Sequence, residues 1–439
     1  MKPIVALCVL LPFTTVAYAA TTTDKDKPTT IIDVGEGSPL VQAAVTGDRA
    51  ALTEAASVPL PGMEAITKAL LARLDGDFEA SGKIARGCVD EAVRGTVNAQ
   101  VGVPCAQIAA SDLFMRGDLR GWARMTHADW AKLRAPMEKE VGHGGITTAP
   151  VLAAEEVIKG MGKAPTTFAV TKRMDKLDFL PATERSTAPG AQLIVPAKVN
   201  GKTLNMRLDT GSQMTVLSRA DADRLGLKVL NVNLGIDGQA ATSNGGKSGM
   251  VNIAQLQVGN LDVHETSVLV VDFSESVLGI DLIGRMADRV AISKTGMRFD
   301  AKVTNDCPSP PDYLLDFSGV YQHRFAIQAT IDGKDTPVML VTGDDGYMTL
   351  SSDDPSLRTS DAHGLMRTDT VNGPVMRKFY AGKARLESGA RKVDLETTIF
   401  PADGSPIPHM LGSGVLNDFD ILLDNKRHRA CLLPPTKPV

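Results

Sequence analysis

After residue 13 the sequence offers no uninterrupted apolar run of the roughly 20 residues that a membrane-spanning helix needs, which excludes a later span of that kind. Excess charge of one sign is absent too: a formal net charge of -4 over 439 residues leaves no broad basic field, and neither nucleic acid nor anionic lipid is expected as a partner. The histidines, among them His264, His323, His363, His409 and His428, are scattered and never take the HExxH form, and no cysteine pair has zinc-site spacing. No metal and no other cofactor is expected. No Gly-x-Ser-x-Gly elbow surrounds Ser274, Ser276, Ser351 or Ser352, so a Ser-His-Asp hydrolase is not indicated. Gly246-Lys247-Ser248 ends like a phosphate loop, but Ala241 stands where the first glycine belongs and Met250 to Ile253 reads as strand, leaving a loop near a flap as the reading.

What is present begins at the N-terminus. Lys2, the apolar stretch Ile4 to Phe13 and the small-x-small Ala17-Tyr18-Ala19 predict a signal peptide over 1–19, cut after Ala19, and hence a periplasmic or secreted protein with no membrane insertion after cleavage. Residues 20–37, rich in Thr, Asp and Lys, read as a disordered tether. Cleavage removes Cys8 and leaves Cys88, Cys105, Cys307 and Cys431. An even set in an oxidising compartment predicts two disulfides, Cys88 with Cys105 and Cys307 with Cys431; buried free thiols are the alternative.

Residues 38–165 are rich in Ala, Leu, Arg and Glu at helical spacing, as in Ile66, Leu70, Leu71 and Leu74, and predict an all-helical domain. Gly-Asp recurs there at Gly47-Asp48, Gly76-Asp77 and Gly117-Asp118, each positioned to end one helix and cap the next. The stretch "ALLARLDGDFEASGKIARG" resembles a tetratricopeptide or Sel1-type hairpin, which implies a surface for a protein partner; a helical domain packed on its neighbour is the plainer reading. Pro165, Pro181 and Pro189 mark 166–189 as a linker. Beyond it, short Val, Ile, Leu and Thr runs alternate with Asn-Gly, Asp-Gly and Gly-Asn turns, the pattern of all-β hairpins.

The β region contains its own copy. Asn200-Gly201-Lys202 aligns with Asp332-Gly333-Lys334 and Thr210-Gly211 with Thr342-Gly343, both at an offset of 132; Leu217-Ser218 aligns with Leu350-Ser351 and Leu278-Gly279 with Leu411-Gly412, both at 133. Two tandem lobes follow, 190–302 and 303–439. With "LDTGSQMTVLS" and "VLGIDLIG" in the first and "LVTGDDGYMTLS" with "MLGSGVLNDFDILLD" in the second, the sequence resembles the retropepsin-like aspartic proteases of bacteria.

That resemblance implies two acid-protease β-barrel lobes, an active-site turn Asp209-Thr210-Gly211-Ser212 with Asp209 as catalytic acid or base, a flap hairpin at Asp237-Gly238, with Asn372-Gly373 as its second-lobe counterpart, and an extended polypeptide as substrate. Such chemistry needs two carboxylates sharing one proton around a water. The second turn, Val341-Thr342-Gly343, has valine where the second acid belongs. Three readings stand: Asp209 pairs with Asp209 of a second chain in a homodimer; the lobes pair within one chain as a peptide-gripping pseudoprotease; or Asp344 or Asp345 supplies the acid, these two being otherwise solvated turn formers.

Overall fold

The computed structural model describes residues 40, 43–44, 48–57, 62–115, 118–141, 149–171, 174–181, 190, 192–212, 214–231, 249–271, 274–303, 306–307, 312–315, 323–370, 373–401, 409–427 and 429–435. The expected signal peptide and tether, Gly47, Gly117, the flap candidate Asp237-Gly238 and Gly246-Lys247-Ser248 lie outside these residues.

Among the described residues the helices α1 (Arg49–Ala56), α2 (Met63–Leu74), α3 (Phe78–Arg94), α4 (Ala99–Met115), α5 (Leu119–Val141) and α6 (Ala149–Gly160) come first. The aspartates of the three Gly-Asp turns each cap the helix that follows: a side-chain oxygen of Asp48 accepts from the Ala51 N–H at 2.9 Å, that of Asp77 from Ala80 at 2.9 Å and that of Asp118 from Gly121 at 2.7 Å. Gly76 takes a φ of 71°, the left-handed end that permits the sharp turn. Along α3 the buried Ala85, Cys88, Val89 and Ala92 recur at three- and four-residue spacing, facing α4. A disulfide joins Cys88 to Cys105 across that contact, and a second joins Cys307 to Cys431.

Among the described residues two eight-stranded sheets follow. In the first, the strand Lys202–Leu208 runs parallel to Val277–Leu278, and Val216–Ser218 parallel to Leu269–Val271. The second repeats both pairings, Lys334–Leu340 with His409–Leu411 and Met348–Ser351 with Thr397–Phe400. A five-stranded sheet joins the halves: Arg289–Ile292 of the first pairs antiparallel with Ile421–Asp424 of the second. One apolar cluster therefore runs through both, from Leu193 and Val195 to Ile421 and Leu432.

The expected linker is more than a tether. Thr167–Val170 pairs with Leu261–His264, and Lys176–Asp178 with Gly296–Arg298, because each completes a sheet edge while Pro165 and Pro181 fall outside both strands.

Arg73 of α2 and Asp112 of α4 are both wholly buried and meet at 2.6 Å, with Arg73 also donating to the Ile108 carbonyl at 2.8 Å. Removing one partner strands a desolvated charge. Arg73→Met is expected to destabilise the chain by about 3–5 kcal/mol in urea unfolding, and Arg73→Met with Asp112→Leu by much less.

Candidate active site

The two Thr-Gly turns meet at the centre of the molecule. Thr210 donates its N–H to Thr342 Oγ1 at 3.0 Å and its hydroxyl to the Leu340 carbonyl at 2.8 Å. Thr342 reciprocates, its N–H to Thr210 Oγ1 at 3.1 Å and its hydroxyl to the Leu208 carbonyl at 3.1 Å. Four buried hydrogen bonds thus lock the sheets across an approximate two-fold axis. The turns are drawn there by identical geometry: Asp209 N–H donates to Leu278 O, and Val341 N–H to Leu411 O.

The symmetry fixes what faces what. Asp209 Oδ1 accepts from its own Gly211 N–H at 2.8 Å and from Gly343 N–H at 3.0 Å. A Cβ on Gly343 would come within 2.4 Å of the Asp209 carboxyl, and one on Gly211 within 2.7 Å of Val341 Cγ1. Each turn therefore needs glycine to admit the other turn's side chain. Val341 occupies the position related by symmetry to the Asp209 carboxylate. Within the chain, 341–343 fill the place opposite 209–211.

Asp344 and Asp345 are not the solvated turn formers that their sequence context suggests. Both are buried, and Asp344 accepts from Gly346 N–H at 2.8 Å and from the Thr349 hydroxyl at 3.3 Å. Both Asp344 oxygens thus accept hydrogen bonds within its own loop, and its charge acts on Asp209. Ser212 likewise serves the turn, its hydroxyl donating to the Met214 carbonyl at 2.8 Å.

Two groups do not stand out in the sequence. Asp281 accepts from both the N–H and the hydroxyl of Thr215, at 2.9 and 2.8 Å, and holds the segment beneath the turn. Its only signal is its place two residues past Gly279. Arg207 is 6% exposed and, by strand alternation with the core residues Leu204, Met206 and Leu208, shares the face of Asp209. That parity is readable beside the apolar positions but carries no meaning without the fold.

The helices lie over this centre. Ala326, Met339 and Val341 belong to the buried apolar cluster of Ile66, Leu70, Val101 and Trp130. Met250, with the half-buried Met214 and Leu269 against it, joins Trp122, Ala123 and Val157. Asn252 clamps the end of α6, accepting from Gly162 N–H at 2.7 Å and donating to the Gly160 carbonyl at 3.1 Å. Asp209 is fully buried, and its Oδ2 has no hydrogen-bond partner among the described residues. The second hairpin predicted as a flap is present as Arg358–Thr370 paired with Gly373–Ser388, its tip Asn372 lying outside the described residues.

Burial pushes the Asp209 carboxyl up to about 6, against the pull of the Gly211 and Gly343 N–H groups and the Arg207 cation, with Asp344 adding to the rise. Asp281 is likewise pushed up to about 6 by burial, opposed by its Thr215 hydrogen bonds, and burial raises Asp344.

Residues 195–285, which contain Asp209, match the family model described as "gag-polyprotein putative aspartyl protease". The match is confined to this segment, which is similar to the retropepsin-like aspartic proteases. Among solved structures it is similar to a retropepsin-like aspartic protease from Rickettsia conorii, at 19% identity over 28% of this chain and 85% of that one, with a TM-score of 0.19. No curated protein matches the sequence.

Two outcomes are expected. Thr342→Val leaves Thr210 N–H and the Leu208 carbonyl unpaired and should lower unfolding free energy by about 2–5 kcal/mol in a denaturant titration. A carboxyl whose folded pKa is raised favours the folded state fully below its unfolded value of 3.8 and loses that contribution as pH climbs through about 6. Asp209→Asn should therefore stabilise the chain at about pH 7.5 by up to about 3 kcal/mol, with the gain disappearing below about pH 4 in parallel urea titrations.

Proposed function

We propose that the protein is an exported polypeptide-binding member of its family, its two β units forming a single-chain retropepsin-like cleft with one acid, Asp209. The observation that carries this reading is the reciprocal Thr210–Thr342 lock, which brings Val341 to the position where a second carboxylate would stand. Peptide hydrolysis needs one group to take a proton from water while another gives one to the scissile carbonyl. Valine does neither. Asp209, with an Oδ2 that has no partner among the described residues and a raised pKa, retains the geometry to hold a water or a peptide group but lacks its partner in proton exchange. An extended backbone would add to the sheet edges under the flap hairpins, side chains entering alternate pockets. The tetratricopeptide-like helices would act as a cover that moves aside when polypeptide enters. The signal segment would deliver the chain to the periplasm, where both disulfides can form.

A second reading is favoured by the match of the family model to 195–285 alone, the half that keeps the complete Asp-Thr-Gly-Ser turn. In it, first lobes of two chains exchange partners and place Asp209 opposite Asp209, giving an aspartic endopeptidase.

Cleavage of an unfolded protein across a pH range separates the two. The single-acid reading expects binding without cleavage, and cleavage gained in Val341→Asp that is lost again when Asp209→Asn is added. Wild-type cleavage that rises with the square of protein concentration and vanishes in Asp209→Asn would replace it with the exchanged dimer.

A further inference from the structure

Arg207 is a cation that the cleft chemistry above does not use. Its Nη1 stands 3.8 Å from Glu275 Oε2, a carboxylate whose side chain is 39% exposed. Its Nε and Nη2 are buried and have no hydrogen-bond partner among the described residues. Those two N–H groups lie along one edge of the guanidinium, parallel and spaced for the two oxygens of a single carboxylate. Of the neighbouring acids, Asp209 Oδ1 accepts from Gly211 and Gly343 and Asp344 from Gly346 and Thr349, and neither hydrogen-bonds to that edge. A guanidinium withdrawn from water with its fork unfilled is unfavourable, and a carboxylate arriving from outside would reverse that.

The symmetry of the two halves adds a contrast. The offset of 132 that relates Thr210 to Thr342 relates Arg207 to Met339, which is buried among apolar side chains together with Val341. The walls on either side of Asp209 therefore differ: a cation on the first half, methionine and valine on the second. A chain lying across them meets opposite chemistry at the two positions.

We propose that Arg207 is a specificity-determining residue, taking a carboxylate of the bound polypeptide in bidentate fashion while Met339 and Val341 receive an apolar side chain beside it. This rests on the reading that the cleft holds extended polypeptide. The carboxylate has two sources, an internal acidic side chain or a free chain terminus.

The test is fluorescence anisotropy of labelled peptides with the full mature chain. Three apolar decapeptides are compared: one with a central Glu and an amidated end, one with Gln in its place, and the Gln peptide with a free C-terminal carboxylate. A buried charge-assisted pair should make one of the carboxylate peptides bind about tenfold or more tightly than the amidated Gln peptide, and which one does so identifies the source. Arg207→Met, which copies Met339, should bring that ratio to within about twofold, and Arg207→Lys should keep only part of it because an ammonium lacks the fork. Equal affinity of the wild type for all three peptides overturns the proposal, an outcome that stands even if a variant fails to fold. A preference that persists in Arg207→Met also overturns it, as does a variant that changes only the pH dependence of binding, since Arg207 would then merely tune Asp209. Binding of no peptide by wild type defeats the polypeptide reading and this inference with it.

Discussion

Everything at the centre of this protein depends on four hydrogen bonds between Thr210 and Thr342. Each threonine gives its hydroxyl to the carbonyl two residues before the other and accepts the other's N–H. Buried donors and acceptors must be paired, so one turn cannot be satisfied without its mate. From that demand follow the two-fold relation of the sheets, the glycines that admit the opposing side chains, and the five-stranded sheet whose Arg289–Ile292 and Ile421–Asp424 strands tie the halves together.

The same lock explains how a lone acid is tolerated. Two carboxylates over these glycines would have to share a proton, whereas Val341 removes that repulsion and contributes apolar contact with the helices. Asp209 keeps two backbone N–H donors on one oxygen and is raised by burial, its other oxygen having no hydrogen-bond partner among the described residues. Electrostatics and packing thus act on one carboxyl in opposite senses: the turn N–H groups favour charge there and burial disfavours it.

Much of this is legible in the sequence. Helices before about residue 165 and strands after it follow from apolar periodicity, and the aspartates at 48, 77 and 118 cap as their turns require. Offsets of 132 and 133 foretell that two halves repeat one pairing scheme, because matched turns and apolar positions form matched strands. Less legible are the short strands inside the expected linker, since three or four residues carry no periodicity until a sheet edge offers them partners. Asp344 and Asp345 read as solvated because acidic residues in Gly-rich turns usually are; tertiary packing buries them.

By itself the sequence determined the identity of the groups: an Asp in one Thr-Gly turn, a Val in the other, an Arg two residues before the acid. These are local facts, set by covalent order. Only the tertiary structure decided which turn faces which, that Val341 stands across from Asp209, and that helices from the first third of the chain cover both. Such relations join residues more than a hundred positions apart, and they are selected by the pairing of buried polar groups and the closure of a shared apolar core, neither of which acts along the chain.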